Sequence, residues 1–167
     1  MITTASPRSF EVVKGIGASA VVNYKSPEEE QVKEILSTTG GNLYLIFDAA
    51  SQSHKLAAQL FAKLSDSPGK PRRFTTTNDW DPMDDKDFHG ALVNHIMLGP
   101  IGRPGSAINA QIESYIPLIV KLIEDGRFKT SDYEIVGTGF EAVLEAYAYQ
   151  QTGKAGHKKV LIKLQDA

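Results

Sequence analysis

The sequence predicts an α/β fold, a parallel sheet covered by helices. Three observations predict it. Strand-like and helix-like segments alternate with connections of a few residues, the pattern of right-handed βαβ units. Residues 43–47, Leu-Tyr-Leu-Ile-Phe, form a continuous apolar run of the kind that parallel strands buried on both faces show. The chain has 167 residues, enough for one domain of ordinary size with its own core and too few for two full-sized ones.

The elements follow in order. Residues 2–5 are a short β-branched strand. Ser6-Pro7 then starts a helix as an N-cap serine followed by proline at the first helical position. Phe10, Val13, Lys14 and Gly17 recur at helical spacing, and Gly15 and Gly17 close that helix. Residues 21–24 are a second strand. Ser26-Pro27-Glu28-Glu29 reads as a capping box with proline at N1, and Val32, Ile35 and Leu36 form the apolar face of the helix it begins. Residues 39–42 turn the chain into the strand at 43–47, which Asp48 ends. Leu56, Leu60, Phe61 and Leu64 mark a third helix, 65–71 a loop and 73–77 another strand.

Residues 78–90 are polar and acidic, and 92–98 are strand-like. Residues 99–105, Gly-Pro-Ile-Gly-Arg-Pro-Gly, form a stiff loop. A long helix spans about 107–125, with Ile108, Ile112, Tyr115, Ile116, Ile119, Leu122 and Ile123 on one face and Pro117 bending it. A strand at 133–136, a helix at 140–151 stopped by Gly153, and a strand at 159–164 complete the chain, which has no internal repeat and no low-complexity segment. The division expected is 1–130 and 131–167.

Composition excludes several functions. The apolar and charged fractions, 41% and 23%, are those of a soluble globular protein. The longest apolar runs fall far short of the ~18 residues of a membrane span. A net charge of −2, a pI near 6.1 and scattered Lys and Arg offer nucleic acid no basic field. The absence of cysteine removes disulfides, thiolate catalysis and cysteine-bound zinc, and suits a reducing compartment, so the expected location is cytoplasmic. Met1 leads directly into strand-like residues with no targeting pattern, as if the chain were entered in mid-fold.

Residues 15–20, GIGASA, fit G-x-G-x-x-A, a dinucleotide-loop pattern. Such a loop follows a strand and opens a helix, so that free helix N–H groups face the pyrophosphate. GIGASA follows a helix and precedes a strand, so it reads as a helix C-cap. The first strand ends Thr4-Ala5-Ser6-Pro7-Arg8-Ser9, where NAD sites place an acid for the ribose 2′-hydroxyl and NADP sites place cations and hydroxyls. No carboxylate is present, so a dinucleotide bound there would be NADPH in preference to NADH. The competing reading is a simple helix cap with a solvated Arg8.

Residues 3–10, Gly17-Ala18 before 21–24, residues 47–51 (Phe-Asp-Ala-Ala-Ser), and the closing 153–162 stand in an order and spacing that resemble the cofactor half of medium-chain dehydrogenase/reductases. The branch it resembles is that of quinone oxidoreductases and fungal trans-acting enoyl reductases, often labelled zinc-binding alcohol dehydrogenase-like. The resemblance covers essentially the whole chain. It implies an incomplete Rossmann-type parallel sheet lacking its first βαβ unit and glycine-rich loop, with the C-terminal helix and strand belonging to the catalytic domain in relatives.

By resemblance, Ser6, Pro7, Arg8 and Ser9 hold the adenosine 2′-phosphate of NADPH, and Tyr24 packs near the adenosine. A tyrosine covering the sheet edge is the alternative for Tyr24. Ala50, Ser51, Thr76 and Thr77 close strands facing the cofactor, and Ala155 and Gly156 lie close to it. Leu98, Gly99, Pro100, Ile101 and Gly102 fall where relatives line the substrate cleft, and a stiff turn explains them equally. The function implied is a portion of an NADPH-dependent reductase of carbonyls or activated alkenes, inactive alone. The alternative is a non-catalytic interaction or dimerisation module. The partners expected are a small-molecule substrate and a homodimer mate or partner covering the exposed sheet edge.

Other chemistries lack their residues. His54, His89, His95 and His157 share no metal-ligand spacing, and the acidic run at Asp79, Asp81, Asp84, Asp85 and Asp87 lacks the glycine and glutamate of an EF-hand. Asp48 stands at a strand end like a phosphoacceptor, without the companion residues that such a site needs. No short-chain Tyr-x-x-x-Lys pair or nucleophile elbow occurs, and no catalytic residue is assigned.

Overall fold

The structure, a computed structural model, describes residues 1–64, 69–78 and 80–165. Most of the expected loop at 65–71, and Asp79, fall outside them. The chain divides into two compact units, Met1–Ser114 and Tyr115–Ala167.

In the first unit, β1 (Ile2–Ala5) pairs with β2 (Ala20–Asn23), and β3 (Leu45–Asp48), β4 (Arg73–Thr76) and β5 (Leu92–His95) form a second ladder with β4 central. In the second unit β6 (Tyr133–Thr138) pairs with β7 (Lys159–Lys163), with a register shift between Ile135 and Gly137. Every pairing is parallel, as the α/β expectation requires. The helices are α1 (Phe10–Gly15), α2 (Glu28–Thr39), α3 (His54–Ala62), α4 (Ala107–Glu124) and α5 (Val143–Gln151).

A 3-10 turn at Pro7–Ser9 with Ser6 at its N-cap precedes α1. The Ser6 hydroxyl makes no backbone cap and lies 3.2 Å from the Ser9 hydroxyl instead. At the other end of α1 the C-cap reading of GIGASA holds in atomic detail. Gly17 N–H donates to Lys14 O (3.0 Å) and Ala18 N–H to Val13 O (3.2 Å), the paired bonds of a Schellman motif. Gly17 has φ of 115°, and nothing lies within 4 Å of where a Cβ would stand. Gly17→Ala is therefore expected to cost about 1 kcal/mol through backbone strain alone, read as a shift in urea midpoint at constant m value. An unchanged midpoint would contradict the motif.

The capping box does not form. α2 begins at Glu28 with Pro27 at its N-cap, which moves Ser26 outside the cap position. Gln31 takes over, its amide donating to Ser26 O (2.7 Å) and Tyr24 O (3.1 Å) and tying the helix to the end of β2.

The strand expected to be buried on both faces is not. β3 runs Leu45–Asp48, with Leu45 63% and Phe47 60% exposed. Leu45 and Phe47 project from the same face of the strand, and that face is left largely uncovered. The strand-like stretch at 92–98 shortens to Leu92–His95, and Leu64 lies beyond the end of α3. The helix expected from Phe140 opens as a 3-10 turn before α5.

Three apolar clusters fill the first unit. Phe61, Phe74 and Phe88 join Ala57 and Ala91, and the Phe74 and Phe88 rings stack at 4.7 Å. Val22, Val32, Ile35 and Leu60 fill the space between the sheet and α2 and α3, flanked by Ile2, Leu43, Ile46 and Leu56. Ala5, Ala18 and Val21 pack under Phe10 and Val13 of α1. α4 contains Pro117 as expected, but no residue of it is buried, and Tyr115 and Ile116 are more than half exposed. Among the described residues no helix is long and apolar enough to cross a membrane.

In the second unit Tyr149 of α5 donates its hydroxyl to the Glu134 carboxylate of β6 at 3.1 Å. Desolvation of the phenol raises its pKa above the ordinary tyrosine value, and the hydrogen bond and charge of Glu134 raise it further. A phenolate absorbance titration is expected to show one tyrosine ionising late, with Glu134→Gln bringing it back toward the others. No difference between the two proteins would rule out the contact.

Candidate functional site

The C-terminal ends of the first unit's strands carry the candidate site. A cavity of about 570 Å³ is lined by Thr4, Tyr24, Glu28, Gln31, Ala50 and Lys55, with Gln52, Ser53 and Leu56 completing its wall. Thr4 comes from β1, Tyr24 follows β2, and Ala50 follows β3. Tyr24 is 53% exposed, so its ring is available to a planar ligand while its carbonyl is held by Gln31. The Glu28 carboxylate is engaged by Gln59, whose amide donates at 2.6 Å.

Behind this cavity lies a buried polar network organised by Asp48. Its carboxylate accepts from Gln52 N–H (3.3 Å), Ser53 N–H (3.0 Å) and the Thr76 hydroxyl (3.2 Å). Ser51 Oγ lies 2.7 Å from Thr77 Oγ1, which also approaches Asp48 O and Ala49 O. Asn78 N–H donates back to the Thr76 hydroxyl at 3.0 Å. A carboxylate at a strand end, accepting from the next turn's N–H groups, shapes the chain that runs from Ala49 into α3. Ser51 sits at φ of 58°, a left-handed conformation rare for a residue with a side chain, held by its hydroxyl contact with Thr77.

The sequence-derived residues therefore separate into groups. Tyr24 and Ala50 meet on the cavity. Ser51, Thr76 and Thr77 are buried, their hydroxyls committed to the network. Ser6 is buried and bonded to Ser9, while Pro7 and Arg8 are exposed on the turn after β1. Leu98, Gly99, Pro100, Ile101 and Gly102 form a largely exposed turn closed by Ile101 N–H to Leu98 O, with Gly102 N–H donating to Asn109 at 2.8 Å. Ala155 and Gly156 belong to the second unit, in the turn before β7.

Glu28, Gln31, Gln52, Ser53, Lys55 and Leu56 line the cavity although the sequence assigns none of them to a site. Only their closeness to strand ends signalled them. Asp48, which the sequence places at a strand end like a phosphoacceptor, is instead an anchor for the turn after β3. Among the described residues no group of three His, Asp or Glu is placed to hold a metal ion. The acidic run is locally engaged: Asp84 accepts from Lys86 N–H, Asp81 faces His54 at 3.4 Å and Asp85 faces His95 at 3.8 Å.

The fit to a dinucleotide's adenosine end is testable on these positions. An open cavity at parallel-strand C-termini, an exposed aromatic ring and a hydroxyl- and guanidinium-bearing turn on the adjacent strand suit an adenosine carrying a further phosphate. Pro7 contributes no N–H, so a phosphate on that turn relies on the Ser6 and Ser9 hydroxyls and on Arg8.

Comparison with known proteins places this geometry. No family model matches the chain. The trans-enoyl reductase RAP1 of Pyricularia oryzae is 25% identical over 173 residues, covering 98% of this chain and 47% of that protein. The enoyl reductase component lovC of the lovastatin nonaketide synthase of Aspergillus terreus is 26% identical over 176 residues, with the same coverage of 98% and 47%. The chain thus spans about half the length of the curated relatives it matches. Among solved structures, the JamJ enoyl reductase superposes with a TM-score of 0.70 at 17% identity, over 97% of this chain and 46% of that one. The benzyl alcohol dehydrogenase of Acinetobacter calcoaceticus superposes with a TM-score of 0.66 at 19% identity, over 98% and 42%. In sequence the chain is similar to about half the length of fungal trans-enoyl reductases, and in fold it matches about half of solved enoyl reductases and alcohol dehydrogenases.

Proposed function

We propose that the chain is the cofactor-binding portion of an NADPH-dependent reductase of carbonyls or activated alkenes, cytoplasmic and inactive by itself. The observation that carries this reading is the meeting of Tyr24 and Ala50, from two separate motifs, on one cavity at the strand C-termini, whose wall also holds Thr4 of the strand that leads into the Ser6–Ser9 turn. Bound there, the dinucleotide supplies a hydride to the substrate. The chain's residues only bind and orient: Tyr24 against the adenosine, and Arg8 with the Ser6 and Ser9 hydroxyls at the 2′-phosphate. Residues 1–130 are the partial cofactor domain, 131–167 the segment that returns to the catalytic domain in relatives, and 98–102 the wall of the substrate cleft.

The test uses 2′,5′-ADP, which carries the adenosine and its 2′-phosphate, against 5′-AMP, in calorimetric titrations of the chain. Tighter binding of 2′,5′-ADP is expected, and Arg8→Glu is expected to remove roughly a tenfold to hundredfold share of that preference, the worth of a charge-assisted phosphate contact. Equal affinity for the two nucleotides, or an unaffected Arg8→Glu protein, would refute the NADPH assignment.

The second reading, a non-catalytic interaction module, is supported by the exposed apolar side chains of α4, among them Ile112, Ile116, Ile119 and Ile123. In that reading a homodimer mate covers them. Sedimentation over a concentration series separates the two, since a monomer throughout would remove it.

A further inference from the structure

Gln52 is fixed in its backbone and free in its side chain. It stands in the turn between β3 and α3, on the wall of the larger cavity. Its N–H donates to one oxygen of the Asp48 carboxylate (3.3 Å), and the next N–H, that of Ser53, donates to the other (3.0 Å). The residue before it, Ser51, is kept at its left-handed φ of 58° by the 2.7 Å hydroxyl contact with Thr77. The Gln52 amide, by contrast, has no hydrogen-bond partner among the described residues.

A left-handed serine and a buried carboxylate are both costly, and they persist where the surrounding structure over-determines them, as it does at ligand clamps. The nucleotide binding proposed above draws on Tyr24 and the Ser6–Ser9 turn and gives this fixed turn no task. Its effect is to set the position of one uncommitted side chain on the cavity.

The other polar side chains of the cavity each offer one kind of contact. Gln31 has spent both amide N–H groups on Ser26 O and Tyr24 O. The Glu28 carboxylate only accepts, and Gln59 already donates to it. Lys55 only donates, and the Thr4 and Ser53 hydroxyls present a single atom each. Gln52 brings an unengaged donor and an unengaged acceptor side by side on one flat group.

Adenine carries the matching pair, an exocyclic 6-amino group that donates and a ring nitrogen beside it that accepts. A glutamine amide meets both at once, which is how glutamine reads adenine in nucleic acids. We propose that Gln52 selects the base of the bound nucleotide, its amide oxygen accepting from the adenine 6-amino group and its amide nitrogen donating to the adjoining ring nitrogen. The half-exposed Tyr24 ring on the same cavity covers the flat of the base. This assignment rests on the nucleotide reading of the cavity and adds to it a residue that recognises adenine itself, separately from the 2′-phosphate.

Calorimetric titrations compare 2′,5′-ADP with its counterpart in which unsubstituted purine replaces adenine, so that only the 6-amino group is lost. The unaltered protein is expected to bind the purine nucleotide roughly fivefold more weakly, the worth of one hydrogen bond. Gln52→Leu removes both hydrogen-bonding atoms, and its affinities for the two nucleotides are expected to agree within about twofold, the coupling that a double-mutant cycle isolates. The Gln52 side chain is exposed and takes no part in the Asp48 network, so Gln52→Leu is expected to keep the urea midpoint of the unaltered protein. Equal binding of the two nucleotides by the unaltered protein, or an undiminished preference in Gln52→Leu, would overturn the proposal and leave the nucleotide reading standing. Failure of the unaltered protein to bind either nucleotide would overturn the nucleotide reading, and the proposal with it.

Discussion

Phe74→Ala is expected to lower the unfolding free energy by about 4 kcal/mol, a loss at the upper end for a single truncation. Phe74 is fully buried at the centre of β4, the central strand of its ladder, and stacks on Phe88 at 4.7 Å with an interplanar angle of 16°. Removing the ring takes away its transfer free energy and leaves a void that Phe61 and Phe88, both fully buried, have little freedom to fill. Phe74→Leu keeps most of the volume and is expected to cost about half as much. Urea unfolding followed by circular dichroism reads both. A loss below about 1 kcal/mol for the alanine protein would mean that the phenylalanine cluster is not a packed core.

Asp48→Ala is expected to cost about 3 kcal/mol and to disorganise the candidate site as well. The carboxylate is 3% exposed and accepts three hydrogen bonds, so its removal leaves the Gln52 and Ser53 N–H groups and the Thr76 hydroxyl in search of partners. Gln52 and Ser53 line the cavity, and Ser51 between Ala50 and Gln52 holds a strained conformation. Nucleotide affinity should therefore fall together with stability. Asp48→Asn retains one acceptor and turns an amide donor toward the remaining donors, which places it between wild type and alanine. An Asp48→Ala protein with wild-type stability would show that solvent or another acceptor replaces the carboxylate at no cost.

The difference between these two positions shows what a sequence reveals. Phe74 lies in a strand recognisable from Arg73 to Thr77, and the structure buries it completely. Asp48 reads from the sequence as a strand end like a phosphoacceptor; two of its donors, Gln52 and Ser53, lie four and five residues on, but the third, Thr76, lies 28 positions on, where no local spacing announces it. The site has the same split. Tyr24 and Ala50 were legible because each follows a strand, and parallel strands bring their ends to one side. Glu28, Gln31 and Lys55 were not, because helices α2 and α3 carry them to the cavity by packing. The reading of Ser26 as a cap failed for a local reason, since Pro27 took the N-cap position itself.

The sequence alone determined the α/β class, the parallel pairing, and the role of GIGASA as the end of a helix. These follow from hydrophobic periodicity and from the φ that glycine alone adopts freely, both properties of a few consecutive residues. Only the tertiary structure decided that Leu45 and Phe47 stand exposed on a ladder edge and that Ser51, Thr76 and Thr77 are locked together. Exposure and pairing depend on which segments become neighbours in space, and an apolar run reads the same whether one of its edges is filled or empty.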